Sequence, residues 1–167
     1  GLKLIDEELG GTTPLEILVK LADETLVELT PEDLKEMTPE DIQLEREYME
    51  ARRNKPELWF TPTKVQIVKK VHDYLDGLPG IGKVLSLAST VRAAEGYAEQ
   101  ELDGMELAIL YTKVPANVKR DLINPYVSIH DNELRLMARV LDSNPELRRK
   151  DLLETVRRDL GKKFGFK

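Results

Sequence analysis

The chain has 167 residues, a formal net charge of −6 and no cysteine. Hydrophobic residues make up 41% and charged residues 34%, a globular balance that excludes an intrinsically disordered chain. The acidic surplus argues against nucleic acid or anionic lipid as partners, and the missing thiols exclude disulfides, thiol catalysis and thiolate metal sites.

The length suits one domain with its own core. No stretch approaches the roughly 18 apolar residues that span a bilayer, and residues 1–11 are too acidic and polar for a signal peptide. Gly1 in place of an initiator methionine gives the expectation of a processed chain or an excised piece of a longer one.

Gly10-Gly11-Thr12-Thr13-Pro14 is turn chemistry. Beyond it Leu15, Ile17, Val19 and Leu21 alternate with Glu16, Leu18 and Lys20, which predicts a strand with one strongly apolar face. A short duplication follows: Thr30-Pro31-Glu32-Asp33-Leu34 recurs as Thr38-Pro39-Glu40-Asp41-Ile42. Each copy has a threonine N-cap, proline at the first helical position and carboxylates in the first turn. The second copy predicts a charged helix to about Arg53, whose Glu45, Glu47, Glu50, Arg46, Arg52 and Arg53 read as a solvated face, ended by Asn54-Lys55-Pro56.

Thr61-Pro62 starts the next helix, with Val65, Val68, His72 and Leu75 on one stripe widened by Ile67, Val71 and Tyr74. Gly77 is its predicted C-terminal cap, Leu78-Pro79-Gly80 a turn, and Ile81 to Leu87 a second strand. Strand, helical crossover, strand is the outline of a parallel βαβ unit. Helices are expected over Ser89–Glu95 and Glu99–Lys113, split by Gly96, with a short third from Pro115 to Asn124-Pro125. Tyr126–His130 and Glu133–Asp142 then read as a hairpin around Asp131-Asn132, with Leu134, Leu136, Ala138 and Val140 on one face. Ser143-Asn144-Pro145-Glu146 is a capping-box pattern opening a last helix, with Leu152, Leu153, Val156 and Leu160 inward and Gly161 behind it. The order makes the fold class α+β, an arrangement of ferredoxin-like character.

Gly77-Leu78-Pro79-Gly80-Ile81-Gly82-Lys83-Val84 comes within one residue of the nucleotide-binding pattern G-x-x-x-x-G-K-[ST]. Val84 lacks the hydroxyl that would ligate Mg²⁺, and the segment leaves a helix for a strand, the reverse of the order that aims helix-start amides at phosphates. His72 and His130 are the only imidazoles and show no metal-ligand spacing, so no metal site is expected. Neither Ser86 nor Ser89 sits in a G-x-S-x-G elbow, and no carboxylate pair stands out as an acid/base couple. No catalytic residue, cofactor or enzymatic activity is expected. Trp59-Phe60 is the one concentration of aromatics; it suits either a path for an apolar ligand or, more commonly, an anchor that packs a helix onto the sheet.

Asp6-Glu7-Glu8-Leu9-Gly10-Gly11-Thr12-Thr13-Pro14-Leu15-Glu16-Ile17 resembles the start of the first large extramembrane loop of RND-superfamily, MMPL-like predicted exporters. Trp59-Phe60-Thr61, Pro79 to Leu87, Pro125-Tyr126-Val127-Ser128 and Leu136-Met137-Ala138-Arg139-Val140 resemble later parts of that loop, in the same order. The resemblance implies a ferredoxin-like porter subdomain over residues 1–167, with a charged helical insertion over 30–57 and a helical segment over 86–124. It also implies a place on the periplasmic face of the bacterial inner membrane, in a proton-driven exporter of hydrophobic or lipid-like molecules. Its partners there would be the transmembrane helices and second porter loop of the parent, with Trp59 and Phe60 as candidate path residues. The family's proton-relay residues lie in transmembrane helices and match no position here. The family's sheet takes a further strand from beyond the position of Phe164-Gly165-Phe166-Lys167, and a strand left without it exposes an edge through which copies can associate. The rival readings are a free-standing α+β ligand- or protein-binding domain that docks through Glu40–Arg53, and an ATPase using Lys83.

Overall fold

Strands form where branched and leucine side chains alternate with polar ones, because one face can then be buried and the other wetted. The computed structural model describes residues 8, 9, 11–21, 35, 37–53, 55–141, 148–164 and 166. Within them the chain runs β1 (Thr13–Lys20), α1 (Pro39–Arg53), α2 (Pro56–Trp59), α3 (Pro62–Asp76), β2 (Ile81–Leu85), α4 (Leu87–Ala98), α5 (Gly104–Lys113), α6 (Ala116–Leu122), β3 (Val127–Ser128), β4 (Glu133–Val140) and α7 (Arg149–Phe164). The fold class is α+β, as expected.

β4 is the centre of a four-stranded antiparallel sheet. One of its edges pairs with β1 along the whole strand, from Thr13 opposite Val140 to Lys20 opposite Glu133. Its other edge is shared by β3 at one end and β2 at the other. Leu134, Leu136, Ala138 and Val140 face inward with Ile17 and Val19. Ile81 and Val84 of β2 are both buried although three residues apart, because the register shifts between Ile81 and Lys83, so an extra residue is absorbed by a bulge. The helix α3 lies against this inner face, burying Val65, Val68, Val71, His72 and Leu75.

The expected βαβ outline is refined by this topology. β1 and β2 both run antiparallel to β4, so they are parallel to each other but separated by it. The hairpin is present, with Asn132 in the left-handed conformation at φ 52°, but its first arm, expected over Tyr126–His130, is only the two-residue strand Val127–Ser128, and its second ends at Val140. The charged helix begins at Thr38, which exchanges hydrogen bonds with Asp41 (Asp41 N–H to Thr38 Oγ1, 3.2 Å; Thr38 N–H to Asp41 Oδ2, 3.2 Å). The first copy of the duplicated cap, Asn54 and the Ser143–Glu146 pattern lie outside the described residues.

Three further expected boundaries moved. The strand expected to reach Leu87 stops at Leu85, because Ser86 caps α4 through a reciprocal pair with Ser89. Gly96 does not split the helices: α4 continues through it to Ala98 and ends at Glu99, which takes φ 56°. Leu87, Ala88 and Val91 already anchor α4, and one glycine costs only about 1 kcal/mol against alanine. The break comes instead from the Asp103–Glu106 capping box that starts α5. Gly161 lies inside α7 rather than behind it, since Phe164 packs edge-on against Tyr74 with ring centroids 6.1 Å apart and holds the last turn in place.

Two glycines give opposite expectations for one substitution. A Cβ at Gly96 would touch nothing within 4 Å, so Gly96→Ala is expected to stabilise by about 0.5–1 kcal/mol. A Cβ at Gly104 would collide with the Phe60 carbonyl oxygen, so Gly104→Ala is expected to destabilise by about 1–3 kcal/mol. Urea unfolding of the two variants beside the parent chain checks both signs.

Candidate functional site

The glycine-rich segment is a connector. α3 ends at Asp76, and the Gly77 N–H donates to the Asp73 carbonyl at 3.0 Å. The Leu78 N–H reaches Leu75 O, and the Ile81 N–H reaches Leu78 O, each at 3.1 Å. Amides that would have to cradle phosphate are therefore spent on the chain's own carbonyls. Gly80, at φ 92°, makes the turn. Lys83 is exposed on β2 and Val84 is buried beneath the sheet, so the residue that departs from the nucleotide pattern is a core residue.

Trp59 and Phe60 are 2% and 3% exposed, with ring centroids 5.0 Å apart in an edge-on contact. Tyr111 of α5 stands 5.5 Å from the Phe60 ring, and α2 packs against α5 where Gly104 lets the backbones approach. The pair thus anchors the α2–α3 corner to α5. The cavity beside Phe60, lined also by Leu87, Val91, Leu107 and Ile123, holds only about 30 Å³, the order of a single water.

Sequence reasoning placed His72 on the buried stripe but missed the burial of Lys64 and Asn132. Lys64 is 4% exposed; its Nζ donates to Asn132 Oδ1 at 2.9 Å and lies 5.5 Å from the Trp59 ring centroid. Asn132 Nδ2 donates in turn to the Leu21 carbonyl at 3.0 Å, so one chain of contacts ties α3, the hairpin turn and the end of β1 together. Its sequence signal was the left-handed Asn132; nothing marked Lys64 as buried. On the other flank Lys69 and Glu95 form an ion pair of 2.7 Å between α3 and α4.

His72 and Ser86 do meet, with Nδ1 and Oγ 2.9 Å apart. Ser86 is 1% exposed, and its Oγ also accepts the Ala88 N–H at 3.1 Å. Burial pushes the His72 imidazole below its ordinary range; Arg92 adds to the shift while Asp76 and Asp73 oppose it. A neutral ring lets Nδ1 accept the Ser86 hydroxyl proton, so the pair is a satisfied link between α3 and the β2–α4 junction. A nucleophile enclosed in this way has no room for a substrate. His130 is exposed and lies 3.1 Å from Asp131, whose carboxyl is held below the usual range chiefly by the Ser128 hydroxyl. Among the described residues no three His, Asp or Glu side chains group as a metal site requires.

A concavity runs between β1 and α7. It measures about 530 Å³ and is lined by Leu15 to Lys20, Val156, Leu160 and Phe166 among others. Tyr74 positions its far wall: the hydroxyl donates to Asp159 Oδ2 at 2.8 Å, and burial with that carboxylate pushes the phenol up to about 12. No family model matches the chain, and neither a curated protein nor a solved structure matches it significantly.

Two measurements follow from this geometry. A histidine with a depressed native pKa contributes stability that is full above the unfolded value near pH 6.5 and is lost as pH falls toward the native value. Unfolding free energy should therefore decline as pH falls below about 6.5, and His72→Gln should flatten that decline. Millimolar Mg-ATP should leave the Tm unchanged in both the parent chain and Lys83→Ala; a ligand-dependent rise lost in that variant would restore the nucleotide reading.

Proposed function

We propose that this chain is the extramembrane porter domain of an RND-type exporter, a lobe that helps wall the path of hydrophobic or lipid-like molecules and performs no chemistry itself. The observation that carries this reading is the strand order β1-β4-β2, in which two parallel strands joined through a helix are split by an antiparallel one. That arrangement supports a split βαβ core of the kind a ferredoxin-like lobe has. The sheet would then be three of the lobe's four main strands, with β3 a short extension. The sequence motifs that resemble the exporter loop fall on the same frame: Gly11 to Ile17 on β1, Pro79 to Leu87 at β2, and Leu136 to Val140 on β4.

Transport in this reading is conformational. Lobes of packed α/β structure rock as rigid bodies while the membrane part, their partner, cycles protons. Apolar side chains left in solvent support a role in a hydrophobic path: Met105, 73% exposed, and Ile109 lie one turn apart on α5, with Leu122 exposed on α6. They bind by apolar burial with little specificity, as a path requires. Trp59 and Phe60 serve as the scaffold behind α5. The lobe would sit at the periplasmic face of the inner membrane beside the second porter loop.

One observation favours the free-standing binding domain instead. None of the described side chains of α1 is buried, and Leu44 and Tyr48 stand exposed one turn apart, as on a docking helix. The encoding reading frame separates the two. The exporter predicts apolar segments of about 20 residues on both sides of the region encoding this chain. A stop codon directly after Lys167 would end that reading and leave the binding domain.

A further inference from the structure

Among the described residues β1 is paired on one edge only, with β4. The Leu21 N–H donates to the Asn132 carbonyl at 2.9 Å, which sets the parity of the ladder. Odd-numbered residues of β1 exchange bonds with β4, so the backbone N–H and C=O groups of Glu16, Leu18 and Lys20 point to the opposite edge. The concavity of about 530 Å³ lies along that edge, since it is lined by six consecutive residues of the strand, Leu15 to Lys20. A cleft lined by only one face of a strand would meet every second residue.

The segment Leu15-Glu16-Ile17-Leu18-Val19-Lys20-Leu21 is complementary to itself when read backwards. We propose that this edge is a homodimer interface, in which β1 of a second copy pairs antiparallel to β1 about an axis through Leu18. Leu18, 55% exposed, then meets its own copy. Glu16 faces Lys20 of the second copy, and Lys20 faces its Glu16. On the helix side Ile17 meets Val19 and Leu15 meets Leu21. The outward backbone groups of Glu16, Leu18 and Lys20 form about six hydrogen bonds in this register.

Other registers are worse. Moving the axis by one residue sets a charge against Leu18, and moving it by two sets Glu16 against Glu16 or Lys20 against Lys20. Because the axis stands normal to the sheet, both helical layers lie on the same side. The two α7 helices, with Leu153 and Leu160, then flank one shared groove. Main-chain bonds supply the affinity, and the charge pairs fix the register. In the exporter reading this same edge of β1 is the place of the lobe's fourth strand, so a second copy and that strand compete for it.

Sedimentation analysis of the chain with its charge variants tests the proposal. The parent chain is expected to dimerise, Lys20→Glu to weaken the dimer about tenfold or more, and the double variant Glu16→Lys with Lys20→Glu to restore it. Far-UV circular dichroism confirms that each variant is folded. The chain has no cysteine, so Leu18→Cys reports the axis directly: Cα atoms of a hydrogen-bonded antiparallel pair lie roughly 5.5 Å apart, within disulfide reach. Rapid cross-linking of Leu18→Cys but not of Lys83→Cys is expected. A parent chain that stays monomeric at high micromolar concentration without cross-linking overturns the proposal. So does a dimer indifferent to the charge variants. Protection of the Glu16, Leu18 and Lys20 amides from hydrogen exchange in a monomeric longer chain also overturns it, and assigns the edge to a segment of that chain.

Discussion

The structure depends on the double pairing of β4. One of its edges is in register with β1 along the whole strand, and the other carries β2 and β3. Its side chains alternate so that Leu134, Leu136, Ala138 and Val140 are buried while Arg135, Met137 and Arg139 are exposed. A slip of one residue would invert that pattern and set two arginines into the core, so the register is strongly enforced. Once β4 is set, β1 and β2 must be parallel and apart. α3 lies over the inner face between them, and α7 has only the flank beside β1 to occupy.

Polar contacts then fix the helices on this sheet. Lys64 with Asn132, His72 with Ser86, Lys69 with Glu95 and Tyr74 with Asp159 each join α3 to a different neighbour. Burial of such groups is tolerable only because their partners are in place, and removing one leaves its partner unsatisfied. These are also the groups a search for chemistry would single out. Their hydrogen-bonding capacity is spent inside the fold, so they specify how helices dock rather than what a substrate meets. Among the described residues, apolar and external surfaces remain: the exposed side chains of α1, α5 and α6, and the cleft along β1.

That cleft has a plain physical origin. Strands with an unpaired edge present a row of unmet donors and acceptors, and proteins commonly cover or blunt such edges. β1 carries Pro14, Glu16 and Lys20 toward solvent, which is a partial guard, yet the apolar floor from Ile17, Val156 and Leu160 continues beneath it. An edge with this floor favours a strand over a small polar ligand as its occupant.

The sequence by itself determined the elements. Period-2 alternation marked β1 and β4; Thr38-Pro39 and Thr61-Pro62 marked two helix starts; and Val84 argued against the nucleotide loop. These signals are local, because alternation and capping act between residues a few positions apart. Only the tertiary structure decided that β4 separates β1 from β2, that Gly96 and Gly161 stay inside helices, and that Lys64 is buried. It alone placed Trp59 and Phe60 in the core behind α5 and left one edge of β1 beside a cleft. Strand order and burial depend on contacts between residues far apart in the chain, where packing overrides propensities worth about 1 kcal/mol or less per residue.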